Sequence, residues 1–291
     1  MKNKKLAVVV CGWHYSKYFY EQLTKQNKPD NWDIDYFCVS HRNPKYTLDE
    51  KIISKNSTDL YKQLDYFYYK ETATIKFIEE NGWKYIEKPN TVGDWGVYNQ
   101  WIEDYNYQDY DVVFITGDDN FFIRNDLFEC VLGGKLETWF SNGDFGNHTI
   151  SEVPYSDDWL VVSNAIQRGR AVLRGSMEFF KTEILDLLGG KFDLSTCDSE
   201  SRLNLTKTPT DYRDEISLNW NNQCFPFQNF IHEQDLYTKI RFLSPTFRSS
   251  LFCIEGERGL FSNNNVAPYA QEYSGMVQEL YKLGNLNKFI I

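Results

Sequence analysis

Two kinds of apolar pattern alternate along the first 125 residues. Short unbroken apolar runs at 6–11 and 112–116 stop at glycine or polar residues, as strands buried on both faces do. Residues 33–40 (DIDYFCVS) and 83–87 (WKYIE) read as two further strands. Between them, helical patterns run over 16–25, about 59–81 and about 95–105. The middle one carries Leu60, Leu64, Phe67, Tyr68, Ile75 and Ile78, is capped by Ser57 or Thr58, and ends at Asn81-Gly82. Residues 43–58 and the segment from Pro89 to Gly93 are the intervening loops. The resulting order β, α, β, α, β, α, β predicts an α/β fold with a mainly parallel central sheet and helices on both faces.

Chemistry collects where these runs end. The fourth strand hands over to Gly117, Asp118, Asp119 and Asn120, the second closes on Ser40, His41 and Arg42, and the first on Cys11, Gly12 and Trp13. In open α/β sheets ligands bind outside the carboxyl ends of the strands, so adjacent carboxylates there suit a hard divalent cation. The same residue types also suit a solvated turn.

The second half is less periodic. Residues 126–170 read as irregular, with short strands near 138–140 and 160–163. A strand then leads into a helix over 181–188 that Gly189-Gly190 ends. A helix from Glu233 to about Phe242, a strand-like 246–254 and a final helix over 269–283 follow.

At 291 residues the chain buries a sizeable core. Its 42% hydrophobic and 25% charged residues are ordinary for a globular protein, which argues against extensive disorder. A formal charge of −10 argues against a nucleic-acid partner, and an anionic substrate then needs local neutralisation. Aromatic residues make up 17%, a mild pointer to sugar-stacking surfaces that core packing explains equally well. The six cysteines show no CxxC pair and read as free thiols in a reducing compartment. With no signal peptide and no transmembrane segment in the pattern, a soluble, cytoplasmic protein is expected.

Residues 5–125 resemble an inverting family-2 glycosyltransferase of the GT-A fold. Cys11-Gly12-Trp13-His14 matches that family's polar turn after the first strand, and Tyr18-Phe19 falls where a Tyr-Leu pair is common. Gly93 and Asn99 keep the Gly-to-Asn spacing of its Asn-x-Gly…Asn pattern, with Asn90 one residue further from Gly93 than usual, and Gly117-Asp118-Asp119-Asn120 resembles its DxD-type metal motif. Gly189-Gly190-Lys191-Phe192-Asp193 resembles Gly-Gly-Phe-Asp with one residue inserted, and His232-Glu233-Gln234-Asp235-Leu236 resembles the acidic motif that supplies the catalytic base. Two features depart from the pattern: Ser40 and His41 stand where an Asp contacts the nucleoside base, and the first DxD position is either Gly117 or Asp118.

The resemblance implies a hexosyltransferase-like enzyme that moves a sugar, with inversion, from a nucleotide-sugar donor to a glycan or other hydroxyl acceptor. Residues 1–125 would form the nucleotide-sugar-binding half and 126–291 the acceptor and catalytic-base half of the same domain, with an acceptor-side insertion at about 191–231. Cys11, Gly12, Trp13, Ser40, His41, Gly93, Asn99 and Asp118 would hold the donor. Mn²⁺ or Mg²⁺ would sit on Asp119, the favoured ligand, or on Asp118. Glu233 would take the acceptor's proton beside Asp235, a contribution of roughly 10²–10⁴ in rate. Two alternatives share the architecture: a non-catalytic carbohydrate-binding or scaffold protein, and a sugar nucleotidyltransferase, whose Gly-rich basic loop after the first strand is not matched by 11–17.

Overall fold

The computed structural model describes residues 2–13, 15–41, 71–89, 94–118, 120–122, 124–134, 137–142, 149–154, 157–163, 177–195, 226–243 and 253–255. Strand β1 (Lys4–Gly12) leads into helix α1 (Lys17–Thr24), and β2 (Trp32–Ser40) follows. Ser16 caps α1, its hydroxyl accepting from the Phe19 amide at 3.3 Å, an interaction worth about 1 kcal/mol. Helix α2 (Ile75–Glu80) and β3 (Trp83–Glu87) come next, then α3 (Asp94–Trp101) and β4 (Val112–Gly117).

Among the described residues nine strands form one sheet in the order β3-β2-β1-β4-β9-β8-β10-β6-β7. The later members are β6 (Glu137–Asn142), β7 (Thr149–Pro154), β8 (Val161–Ser163), β9 (Met177–Lys181) and β10 (Ile240–Phe242). β1, β2, β3 and β4 pair in parallel, and β8 pairs in parallel with β10. Only β9 and β6 are reversed, so the other strands share one direction and the sheet is mainly parallel, as the apolar runs predict. A separate ribbon joins β5 (Asn120–Phe122) to β11 (Cys253–Glu255). The large sheet draws strands from both sides of residue 125.

Two cores cover its faces. One packs α1, α2 and α4 (Leu127–Gly133) through Phe19, Tyr20, Leu23, Ile78, Phe128 and Val131. The other packs α3, α5 (Thr182–Leu187) and a helix at 226–233. On that second face Trp95 stacks on Phe192 at 4.8 Å between ring centroids and meets Phe227 edge-on at 5.1 Å. Each such pair adds about 0.5–1.5 kcal/mol beyond its buried area.

Three expectations change. A single helix over 59–81 does not form: Thr72 bridges Ser16, and α2 starts afresh with the Thr74 hydroxyl accepting from the Phe77 amide at 3.1 Å. Residues 126–170 hold α4 and β7 besides the two expected strands. Residues 233–242 are a helix end, a 3-10 turn (Tyr237–Lys239) and β10 rather than one helix. Residues 59–70, most of the 191–231 insertion and the predicted 269–283 helix lie outside the described residues.

Candidate functional site

Strand order fixes where a crevice opens. β2 and β3 lie to one side of β1, and β4 lies to the other. The chain therefore reverses its winding between β1 and β4, and beyond the carboxyl ends of strands at such a switch point ligands bind. In register, Cys11 faces Gly117 and Gly12 faces Ser40. Three of the four N-terminal strands thus bring their polar ends to this point.

The turn after β1 is built around close contacts. A Cβ on Gly12 would lie 2.8 Å from the Cys38 sulfur and 3.0 Å from the Tyr15 hydroxyl, so only glycine fits. Tyr15 adopts φ 56°, a left-handed conformation rare for a non-glycine residue. Its hydroxyl donates to the Gly12 carbonyl at 3.2 Å and bonds the Ser40 hydroxyl, which also accepts from Tyr85 at 2.9 Å. The His41 amide reaches the same Gly12 carbonyl at 3.1 Å. Ser40, read from sequence as a base contact, is buried in this brace between β1, β2 and β3.

His41 is braced on the α3 face. Gln100 donates through Nε2 to the Pro89 carbonyl at 2.7 Å, which leaves its Oε1 to accept from His41 Nε2 at 2.6 Å. That network assigns the proton to Nε2 and turns Nδ1 toward the Cys11 sulfur at 3.6 Å. His41, Cys11 and Trp13 are all partly exposed at the crevice.

Asp118 is 1% exposed. Both its oxygens lie 3.1 Å from the Trp13 amide, Oδ2 accepts from the Tyr15 amide at 2.7 Å, and the Tyr20 hydroxyl donates to Oδ2 at 3.3 Å. Oδ2 is thus the acceptor that all three donors share, and the Asp118 carboxylate is turned into the β1 turn. Burial pushes the neighbouring Tyr15 and Tyr20 hydroxyls and the Cys38 thiol well above their ordinary values, and the Asp118 charge adds to each. Asn120 turns inward instead, its amide donating to Thr116 Oγ1 at 2.9 Å and to the Gly117 carbonyl at 3.3 Å. Asp119 and Gly93 lie outside the described residues. Among the described residues no group of three or more His, Cys, Asp or Glu is disposed to hold a metal, and no helix is long and apolar enough to cross a membrane.

Asn99, expected as a donor contact, is placed against Phe192, which it clamps. Its amide donates to the Phe192 carbonyl and its oxygen accepts the Phe192 amide, each at 2.9 Å. With Tyr98 donating to the Gly190 carbonyl at 3.0 Å, it pins the Gly189-Gly190-Lys191-Phe192 segment onto α3. Both glycines have positive φ, as the end of α5 requires.

Glu233 and Asp235 fall elsewhere. Ile240 pairs with Val161, which faces Phe180, which in turn faces Val113 near the start of β4. The turn that feeds Ile240 therefore lies at the amino edge of the parallel strands, and Glu233 and Asp235 close the helix just before it. The crevice is at the carboxyl edge. Asp235 takes φ 50°, and the Leu236 amide reaches back to the Ile231 carbonyl at 3.0 Å, a helix C-terminus where the acidic motif predicts a helix start. Both side chains are exposed.

No protein-family model matches the chain, and no curated protein matches it. Among solved structures, TarS of S. aureus is similar at 10% identity with a TM-score of 0.41, over 88% of this chain and 37% of that one. The glycosyltransferase GlyE of Streptococcus pneumoniae TIGR4 is similar at 12% identity with a TM-score of 0.33, over 97% of this chain and 64% of that one. The chain thus spans less than two thirds of either protein.

Two functional groups escape the sequence reading. Gln100 orients His41, and its place one residue after Asn99 on a helix following a Pro-containing loop is the available signal. Tyr15 fills the turn after β1, but nothing in a lone tyrosine announces φ 56°.

Proposed function

We propose that the chain is a glycosyltransferase acting on a nucleotide-activated sugar, with the nucleotide seated at the β1/β4 switch point. The observation that carries this reading is the convergence of Trp13, Cys11 and His41, all partly exposed, on the crevice outside the carboxyl ends of β1, β2 and β4. Trp13 offers a flat ring to a base or sugar face. His41, held by Gln100 and Cys11, would border the base where an acidic residue is more usual.

A divalent cation, Mn²⁺ or Mg²⁺, fits this reading on Asp119, where it would offset the charge of the departing nucleoside diphosphate. The protein's own contribution is a rigid rim: the Ser40–Tyr15–Tyr85 hydroxyls and the Gln100–His41 pair hold the strand ends without further reorganisation when the ligand arrives. Inversion rests on the resemblance of residues 5–125 to family-2 enzymes.

The proposal is tested by nucleoside diphosphate release from a panel of nucleotide sugars, with Mn²⁺, with Mg²⁺ and with chelator. Metal-dependent release from one donor, abolished in Asp119→Ala, is expected. Absence of both release and calorimetric binding for every donor would overturn it. A non-catalytic carbohydrate-binding protein on the same fold is the second reading, and the position of Glu233 at the far edge of the sheet favours it. That protein would bind a sugar yet release no diphosphate.

A further inference from the structure

We infer that Asp118 is the positioning residue of the crevice: it fills the main-chain anion seat at the end of β1, sets the turn that carries Trp13, and leaves cation binding to other groups. Amides of residues two apart that point at one anion form a nest, the device by which many turns hold phosphate. Here the Trp13 and Tyr15 amides form that nest, at 3.1 and 2.7 Å from the carboxylate, and the Tyr20 hydroxyl closes it from α1. Tyr15, whose amide makes the shortest of these bonds, also holds the left-handed φ of 56°, a conformation that persists in a bulky residue only where its surroundings fix it.

The arrangement has a chemical consequence. A seat that would suit a ligand phosphate already contains the protein's own negative charge, which repels a second anion at that point. An incoming diphosphate therefore has to find its positive partners away from the β1 turn. The inference stands on the geometry of the turn and holds whether or not the ligand is a nucleotide sugar, so its failure and that of the proposed function are separate events.

The experiment is amide hydrogen exchange and proton chemical shift by NMR on the full chain. In the wild type, the Trp13 and Tyr15 amides should be protected, with Tyr15 shifted downfield by its short bond to a carboxylate. In Asp118→Ala, which removes the acceptor that these donors share, their exchange should quicken about tenfold or more while that of Phe37 in β2 is unchanged. Exchange at Trp13 and Tyr15 unchanged by this substitution would overturn the inference. Should the variant not fold, the wild type decides alone. Neither Mg²⁺ nor inorganic pyrophosphate, added separately, should lower the exchange protection of the two amides. Loss of protection with Mg²⁺ would mean that Asp118 leaves the turn to ligate the cation. Loss of protection with pyrophosphate would mean that a ligand's anion displaces the carboxylate from the seat. Either would overturn the assignment.

Discussion

The two edges of the sheet handle acidic residues in opposite ways. At the carboxyl edge Asp118 is sealed from water and held by two main-chain amides and a tyrosine hydroxyl. At the amino edge Glu233 and Asp235 are exposed on a helix end, and Asp158 pairs with Lys239 in water, where Lys239 lowers its pKa. A carboxylate withdrawn from water needs donors that replace its hydration, and those donors then fix the backbone that supplies them. An exposed carboxylate keeps its water, so it holds its partners more weakly. The acid that organises a crevice is therefore the buried one, although both edges look equally acidic in the sequence.

The contrast is sharpest in stability. Asp118→Ala should cost about 3 kcal/mol, because it removes the buried acceptor shared by the Trp13 and Tyr15 amides and the Tyr20 hydroxyl. Urea unfolding measures this directly. A loss below about 1 kcal/mol, the size expected of a surface substitution, would erase the distinction between the edges.

Alkaline pH separates them next. Tyr15, Tyr20 and Cys38 all have folded pKa values raised above their ordinary ones, burial being the largest cause. Raised values mean that above about pH 9–10 the unfolded chain gives up protons the folded chain keeps. The contribution is fully present below that range and is lost as pH rises. Each such group steepens the fall by about 1.4 kcal/mol per pH unit. In Tyr15→Phe the slope should lose one group's share, even though the variant starts from a lower stability through its missing bonds to Gly12 and Ser40. An unchanged slope would place the tyrosine's ionisation outside the folded brace.

What the sequence discloses follows the same division. β1, β2, β3 and β4 are legible because strands buried on both faces must be apolar throughout, and such runs as 6–11 and 112–116 have no other use. The ends of α2 and α5 are legible because Gly82 and Gly189 take the left-handed conformation that a helix end favours. The helix at 226–233 carried a signal too: Pro226 suits a first helical turn, and Phe227, Phe230 and Ile231 follow at helical spacing. The acidic run just beyond it read more strongly as a helix start, yet exposed acids suit a helix end near a turn as well. α4 likewise showed Leu127, Phe128, Val131 and Leu132 before Gly134, whose φ is 64°. Hidden from any local reading are the long-range bonds. Asn99 to Phe192 spans 93 residues, and Asp118 to Trp13 spans 105, so neither partner is visible from the other's neighbourhood.

The smallest expected effect tests the amino edge itself. Glu233→Gln removes a charge from an exposed side chain at a helix C-terminus, where the macrodipole already disfavours an acid. Stability should change by no more than about 0.5 kcal/mol, with any change toward greater stability. If the chain transfers sugar, the rate should stay within about twofold of the wild type, because a base must lie within hydrogen-bond reach of the proton it takes. A fall of about 10² or more in kcat, with donor affinity unchanged, would mean that Glu233 reaches the acceptor. The amino edge would then share in the chemistry, and the division between a sealed, organising acid and an idle, exposed one would fail.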